Sequence, residues 1–293
     1  MCIRDSYWCN QFQGGIPNTT AYHSSRPTRH NISPSGNQLP CDYFGLFWSP
    51  SSYFATGATN RRIVMKWQVK MGWYNTLFLH WRVPTATLEN VVPDSLTLDT
   101  FDSDTWIGIV AFEMHDVRKK WMPYMPSMRS YPELNVRTYV KHGDHSGVFF
   151  LSLDTPEWFT RTIGKHSFHL PYRKRAIQYV VASDSSTHYQ SNHCDGTLEF
   201  DITYRPAPLD DNCNSTPSDF ISWSSERYGL YNTNKKLELM WGEVKHSPWP
   251  IQAVTTDLRC HDILKPYGLH DQPPDMIHYS PGVDTFAARL THA

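Results

Sequence analysis

Residues 96–114 read LTLDTFDSDTWIGIVAFEM. The first six alternate apolar and polar side chains up to Phe101, and Asp102-Ser103-Asp104 is a turn cluster. Trp106 to Met114 is then a run of β-branched and aromatic residues, too short for a buried helix. The stretch predicts two strands of a hairpin. Upstream, Leu77 to Val83 is an apolar-rich run stopped by Pro84, which predicts another strand. Between them, 87–92 predicts one short helix, with Thr85 or Thr87 as N-cap and Pro93 as stop. Downstream, Pro123 and Pro126 make 121–129 an irregular loop. Further strands are expected over 134–141, 147–153, 176–182, 196–205 and 237–245, and helices over 156–166 and 220–231. Short strands at short intervals with few helices predict a mostly β fold, a largely antiparallel barrel or sandwich.

Composition narrows the class. The 293 residues carry 27 Lys+Arg against 28 Asp+Glu, a balance that lacks the basic footprint of a nucleic-acid binder. No 18-residue apolar run is present, so no membrane-spanning helix is expected. Six scattered cysteines without a C-x-x-C pair, and no apolar leader at the N-terminus, predict a reduced, cytoplasmic protein. Residues 19–40 are rich in Ser, Thr, Asn, Pro and His, so residues 1–62 are expected to be a poorly ordered extension before a domain over 63–285. No phosphate-binding, dinucleotide, zinc-protease or serine-hydrolase motif occurs, and no cofactor is expected. His142/His145 and His166/His169 have H-x-x-H spacing, but in turns and without a third ligand, so no metal is expected either. The oligomeric state is left open.

Several segments together resemble a known family. FLHWRVP (78–84), residues 91–114, YPELNVRTYV (131–140), GVFFLSLD (147–154), LPYRKRA (170–176), ERYGLY (226–231) and VKHSPWPIQ (244–252) fall in the order of the DUF2071, or YqjF-like, family. That family is similar in fold to acetoacetate decarboxylase. The resemblance implies a closed antiparallel β-barrel with extra strands and a few short helices, whose interior can hold a small ligand. The decarboxylase works through a lysine that forms a Schiff base with a keto acid, supported by a glutamate and an arginine. Tyr131-Pro132-Glu133 fits the glutamate segment. Tyr172-Arg173-Lys174-Arg175-Ala176 is one residue short of the lysine segment, so Lys174 is either a depressed-pKa amine between two arginines or a solvated strand entry.

The residues themselves point to strand-like alternation at one place. Glu133, Asn135, Arg137 and Tyr139 occupy alternate positions of one strand and share a face, while Leu134, Val136, Thr138 and Val140 form the other. Glu133 and Arg137 are too far apart to pair directly. In a covered barrel the four polar residues face the lumen, where they meet a ligand or form a structural network. By the same alternation His80 and Arg82 share a face, His80 being a satisfied core residue or a ligand contact. Arg118 is either a carboxylate clamp or simply exposed, and the turn at His246 to Pro250 either plugs one barrel end or touches ligand. The reading that follows is a small carboxylate or keto-acid-like molecule in the lumen, with lyase-like acid/base chemistry on Glu133. The alternative is a non-enzymatic structural or protein-interaction barrel.

Overall fold

The computed structural model describes residues 67–121, 129–208, 218–269 and 271–293. The extension expected over 1–62 lies outside them, as does most of the loop expected over 121–129. Strand β1 (Trp67–Val83) is longer than expected and ends at Pro84, which removes a donor from the ladder. Helix α1 (Thr85–Glu89) starts earlier than expected, because Pro84 itself is the N-cap residue and no threonine caps it. Strands β2 (Thr97–Leu98), β3 (Thr105–Lys119), β4 (Ser130–His142) and β5 (His145–Thr155) follow.

The expected hairpin between 96–101 and β3 does not form. Asp102 and Ser103 take the positive φ of a tight hairpin turn, but the turn closes on a single bridge, Phe101 to Asp104, before the two segments part. The Asp99 carboxylate instead binds Lys141 at 2.7 Å and Arg227 at 2.5 Å, which draws β2 onto β4. At the same end of β4, His142 and His145 are the closing pair of a two-residue turn through Gly143, at φ 57°. Their H-x-x-H spacing is thus hairpin geometry.

Helix α2 (Trp158–Ser167) carries the chain from β5 to its parallel neighbour β6 (Tyr172–Lys174), the crossover that a parallel pair requires. Strands β7 (Ala176–Val181), β8 (Thr187–Asn192) and β9 (Leu198–Pro206) form a meander. The region expected as one helix over 220–231 splits into α3 (Asp219–Ser225) and β10 (Gly229–Thr233). Gly229 explains the break. A Cβ there would lie 3.0 Å from the carbonyl of Ser146, and one on Gly147 2.6 Å from the carbonyl of Gly229, so two glycines permit β10 to lie on β5. Strands β11 (Leu239–His246), β12 (Val254–Cys260), β13 (Met276–Ala288) and β14 (Thr291–His292) complete the described chain.

Among the described residues two sheets form. The smaller has the order β12-β9-β8-β7. In the larger, pairings run β4-β3-β1-β13-β11-β10-β5 and return from β5 to β4. The β10–β5 and β5–β6 pairings are parallel, so this sheet is mixed rather than antiparallel throughout. Leu77, Leu79, Ile107, Ile109, Leu134 and Val136 face the smaller sheet, where Tyr189, Phe200, Ile202 and Tyr204 meet them in one fully buried core. Each such side chain contributes about 1.5–3 kcal/mol when removed from water. Because that core uses one face of β1, β3 and β4, the alternate side chains of the same strands point to the opposite side. No helix among the described residues is long and apolar enough to cross a membrane.

Candidate functional site

On that opposite side lies a cavity of about 160 Å³. Phe78 of β1, Val110 and Phe112 of β3, and Phe159 and Ile163 of α2 give it mostly apolar walls. Strand β4 supplies its polar wall: Glu133, Asn135 and Arg137 all line it, as the alternation requires.

Glu133 is 2% exposed, and the Tyr172 hydroxyl donates to its Oε2 at 3.0 Å. Burial pushes its carboxyl up to about 8, with the Tyr172 bond opposing and the charge of Asp154 adding. At neutral pH Glu133 is therefore mostly a neutral acid. Asp154 is itself wholly buried, but Arg173 grips both its oxygens at 2.7 and 2.8 Å. Tyr172 reaches Glu133 because α2 presents Gly164 to its ring, where a Cβ would overlap Cε2 and Cδ2. Gly164→Ala is expected to displace Tyr172 and destabilise the fold by about 1–3 kcal/mol, the cost of overpacking. Denaturant titration checks this, and an unchanged midpoint would remove Gly164 from the account.

Arg137 stacks over Phe78 at 5.5 Å and Tyr139 at 5.9 Å. Burial pulls its guanidinium below the ordinary value, and Arg227 adds to this while Tyr139 opposes it. No carboxylate is among the groups acting on it, and its Nε and Nη2 have no hydrogen-bond partner. Arg227, which also lines the cavity, differs in having a carboxylate: its Nη1 donates to Asp99 and its Nε to the carbonyl of Trp223, both at 2.5 Å, while its Nη2 is left without a partner. Asn135 leaves its Oδ1 unpartnered as well.

Tyr139 lies one step beyond the cavity wall, with its hydroxyl 2.6 Å from His80 Nε2. His80 stacks on His278 at 5.3 Å, and His278 Nε2 meets the Ser225 hydroxyl at 2.9 Å. Burial holds His80 well below the usual imidazole range and brings His278 down to about 3, so both rings are neutral. They form the floor beneath Arg137 and add no positive charge to it.

Two expected residues fall elsewhere. Arg82 follows His80 by two positions, but the strand is ending there and the side chain emerges to solvent. It binds Asp104 at 3.0 Å and Asp275 at 3.4 Å, away from the cavity. Lys174 is exposed and does not line the cavity; its neighbours Arg173 and Arg175 turn inward to Asp154 and Glu199. Arg118 is exposed but borders the cavity, and His246 and Trp249 line it, Trp249 stacked on Trp73 at 6.1 Å. His166 is spent on the Thr162 carbonyl at 2.8 Å, and among the described residues no three metal-binding side chains cluster. Tyr172 and Arg227 were not singled out by sequence pattern. The signal for Tyr172 was its place in the LPYRKRA segment; Arg227 sat in a stretch that reads as helix.

The larger mixed sheet, the four-stranded sheet beside it and the few short helices define a mostly β protein of the acetoacetate decarboxylase-like fold. Acetoacetate decarboxylase from Legionella pneumophila superposes with a TM-score of 0.53 at 11% identity, covering 76% of this chain and 87% of that one. The enduracididine biosynthesis enzyme MppR, complexed with pyruvate, does so at 0.51 and 10%, covering 78% and 90%. The chain belongs to the DUF2071 family, described as an uncharacterized conserved protein, whose model matches residues 70–284. The uncharacterized protein YqjF of Bacillus subtilis (strain 168) is 29% identical over 215 residues, 73% of this chain and 88% of that protein.

Proposed function

We propose that the cycle of strands is a closed barrel whose lumen binds a small monocarboxylate or keto-acid-like molecule, with Arg137 as counter-ion. The observation that carries this is the buried Arg137 guanidinium with no carboxylate acting on it. An uncompensated buried cation is expensive, and a ligand anion offsets that expense. Asn135 offers a second polar contact beside it. Glu133, neutral at pH 7 and facing the same cavity, is the group we assign to lyase-like acid/base chemistry. A fold shared with a pyruvate-bound enzyme agrees with an acidic ligand, although one fold hosts many functions. A purely structural polar network fits less well, since such a network satisfies its members.

Calorimetric titration with short carboxylic acids and their amides tests the reading. Acids are expected to bind and the matching amides not; equal binding of both would sink it. Schiff-base chemistry at Lys174 is not expected, because that amine is outside the cavity. Borohydride reduction in the presence of pyruvate or acetoacetate should leave Lys174 unmodified by peptide mass mapping, and a reduced adduct there would restore the lysine mechanism.

A further inference from the structure

The cavity is long for its volume. On β4 it touches Glu133 and Arg137, four residues and roughly 13 Å apart along the strand. On β3 it runs from Val110 to Lys119, nine residues and roughly 30 Å of strand. A volume of only about 160 Å³ spread over such distances is a narrow channel.

Strand register gives the channel a direction. Arg137 pairs with Gly108, Glu133 with Phe112 and Tyr131 with Met114, while Lys119 pairs with Val69 at the far end of β1. Arg137 is thus the innermost polar group that β4 gives the channel, beside the Asp99-paired Arg227; Glu133 lies partway out, and Arg118 and Lys119 stand at the outer end. The inner end is shut by His80, Trp106, Tyr139 and Phe220, none more than 5% exposed. At the outer end Arg118 is exposed. Between the two ends the β3 wall is Val110, Phe112, Met114 and Val117, without a polar side chain.

We infer that the ligand is an unbranched aliphatic monocarboxylate that enters head first, its carboxylate at Arg137 and its chain along the channel toward Arg118 and Lys119. This rests on the carboxylate reading above and adds a chain to it. A carbonyl adjacent to the carboxylate sits at the Arg137 end, so Glu133 faces the chain several atoms further out. The two polar groups therefore serve different parts of one extended molecule, and basic side chains at the outer end attract the acid from solution.

Calorimetric titration of the full chain with straight-chain acids from acetate to dodecanoate, and with the matching n-alkanols, tests the inference. Affinity is expected to rise about fourfold per added methylene until the channel is full. Affinity that is greatest for acetate, or flat along the series, would overturn the channel while leaving the carboxylate reading in place. Alkanols binding as tightly as the acids would overturn both. Val117→Trp, near the outer end, provides a second test. It is expected to move the optimum to shorter acids, and an unmoved optimum would overturn the proposed path of the chain.

Discussion

Arg137→Met is expected to yield a protein that melts higher than the parent and no longer distinguishes an acid from its amide. The methionine keeps the apolar stem that lies over Phe78 and Tyr139 and removes a buried cation without a carboxylate partner. Replacing buried ionic groups with apolar ones of similar volume stabilises by about 1–3 kcal/mol where the ion is poorly compensated. For a chain of this size that raises Tm by ~2–10 °C. Truncating one partner of a buried charge pair weakens binding by at least about thirtyfold. Scanning calorimetry and ligand titration on the same sample read both effects. A variant that melts several degrees lower would mean that the guanidinium holds the fold together, and the ligand reading would lose its main support.

The second large effect concerns Glu133. Its folded pKa, about 8, stands above the ordinary carboxyl value, so the folded state binds the proton more tightly than the unfolded chain does. Below the unfolded value both states are protonated and folding carries no penalty. As pH rises from about 4.5 to 8 the unfolded chain gains from ionising and the folded one does not, so this group subtracts stability across that window. The difference approaches about 3–5 kcal/mol above pH 8, at 1.36 kcal/mol per pKa unit. Glu133→Gln keeps a group that accepts from Tyr172 but cannot ionise. The parent is expected to lose stability between pH 5 and 8 relative to this variant, and the two to converge near pH 4. Parallel denaturant titrations across pH check this; curves of equal slope would place Glu133 in a more polar setting.

The polar wall of the cavity was legible because strand alternation is a rigid rule. Glu133, Asn135 and Arg137 share a face at any register, and the apolar residues between them demanded a covered second face. Where alternation misled, the strand had outrun one of its two neighbours, since the ladder to β13 stops at His80. Arg82 shares parity with His80, yet Val83 and Pro84 end β1 and the side chain leaves for two aspartates. The failed 96–101 hairpin has a different cause, since Asp99 is drawn to cations from β4 and from the segment after α3 that no local pattern announces. The single helix expected over 220–231 broke for a tertiary reason too, the close approach of β10 to β5. Lys174 was suggested by resemblance rather than by physics, and a three-residue strand gives alternate side chains opposite environments. Nothing local in the sequence announces the uncompensated state of Arg137, which depends on what every neighbouring strand withholds.

The contact between β5 and β10 has a consequence for how the chain assembles. It consists of two residue pairs, Leu230 with Val148 and Tyr231 with Phe149, from segments some eighty residues apart. All other neighbours around the cycle are antiparallel and most are hairpins or long ladders. Loop closure must be completed before so short a parallel contact gains anything, so it is expected to form late on the folding path. If that seam is the last to close, β4 and its arginine stay open to water until it does. An anion present during folding would bind as that seam shuts, so the same small molecule that fills the finished cavity would also speed its completion.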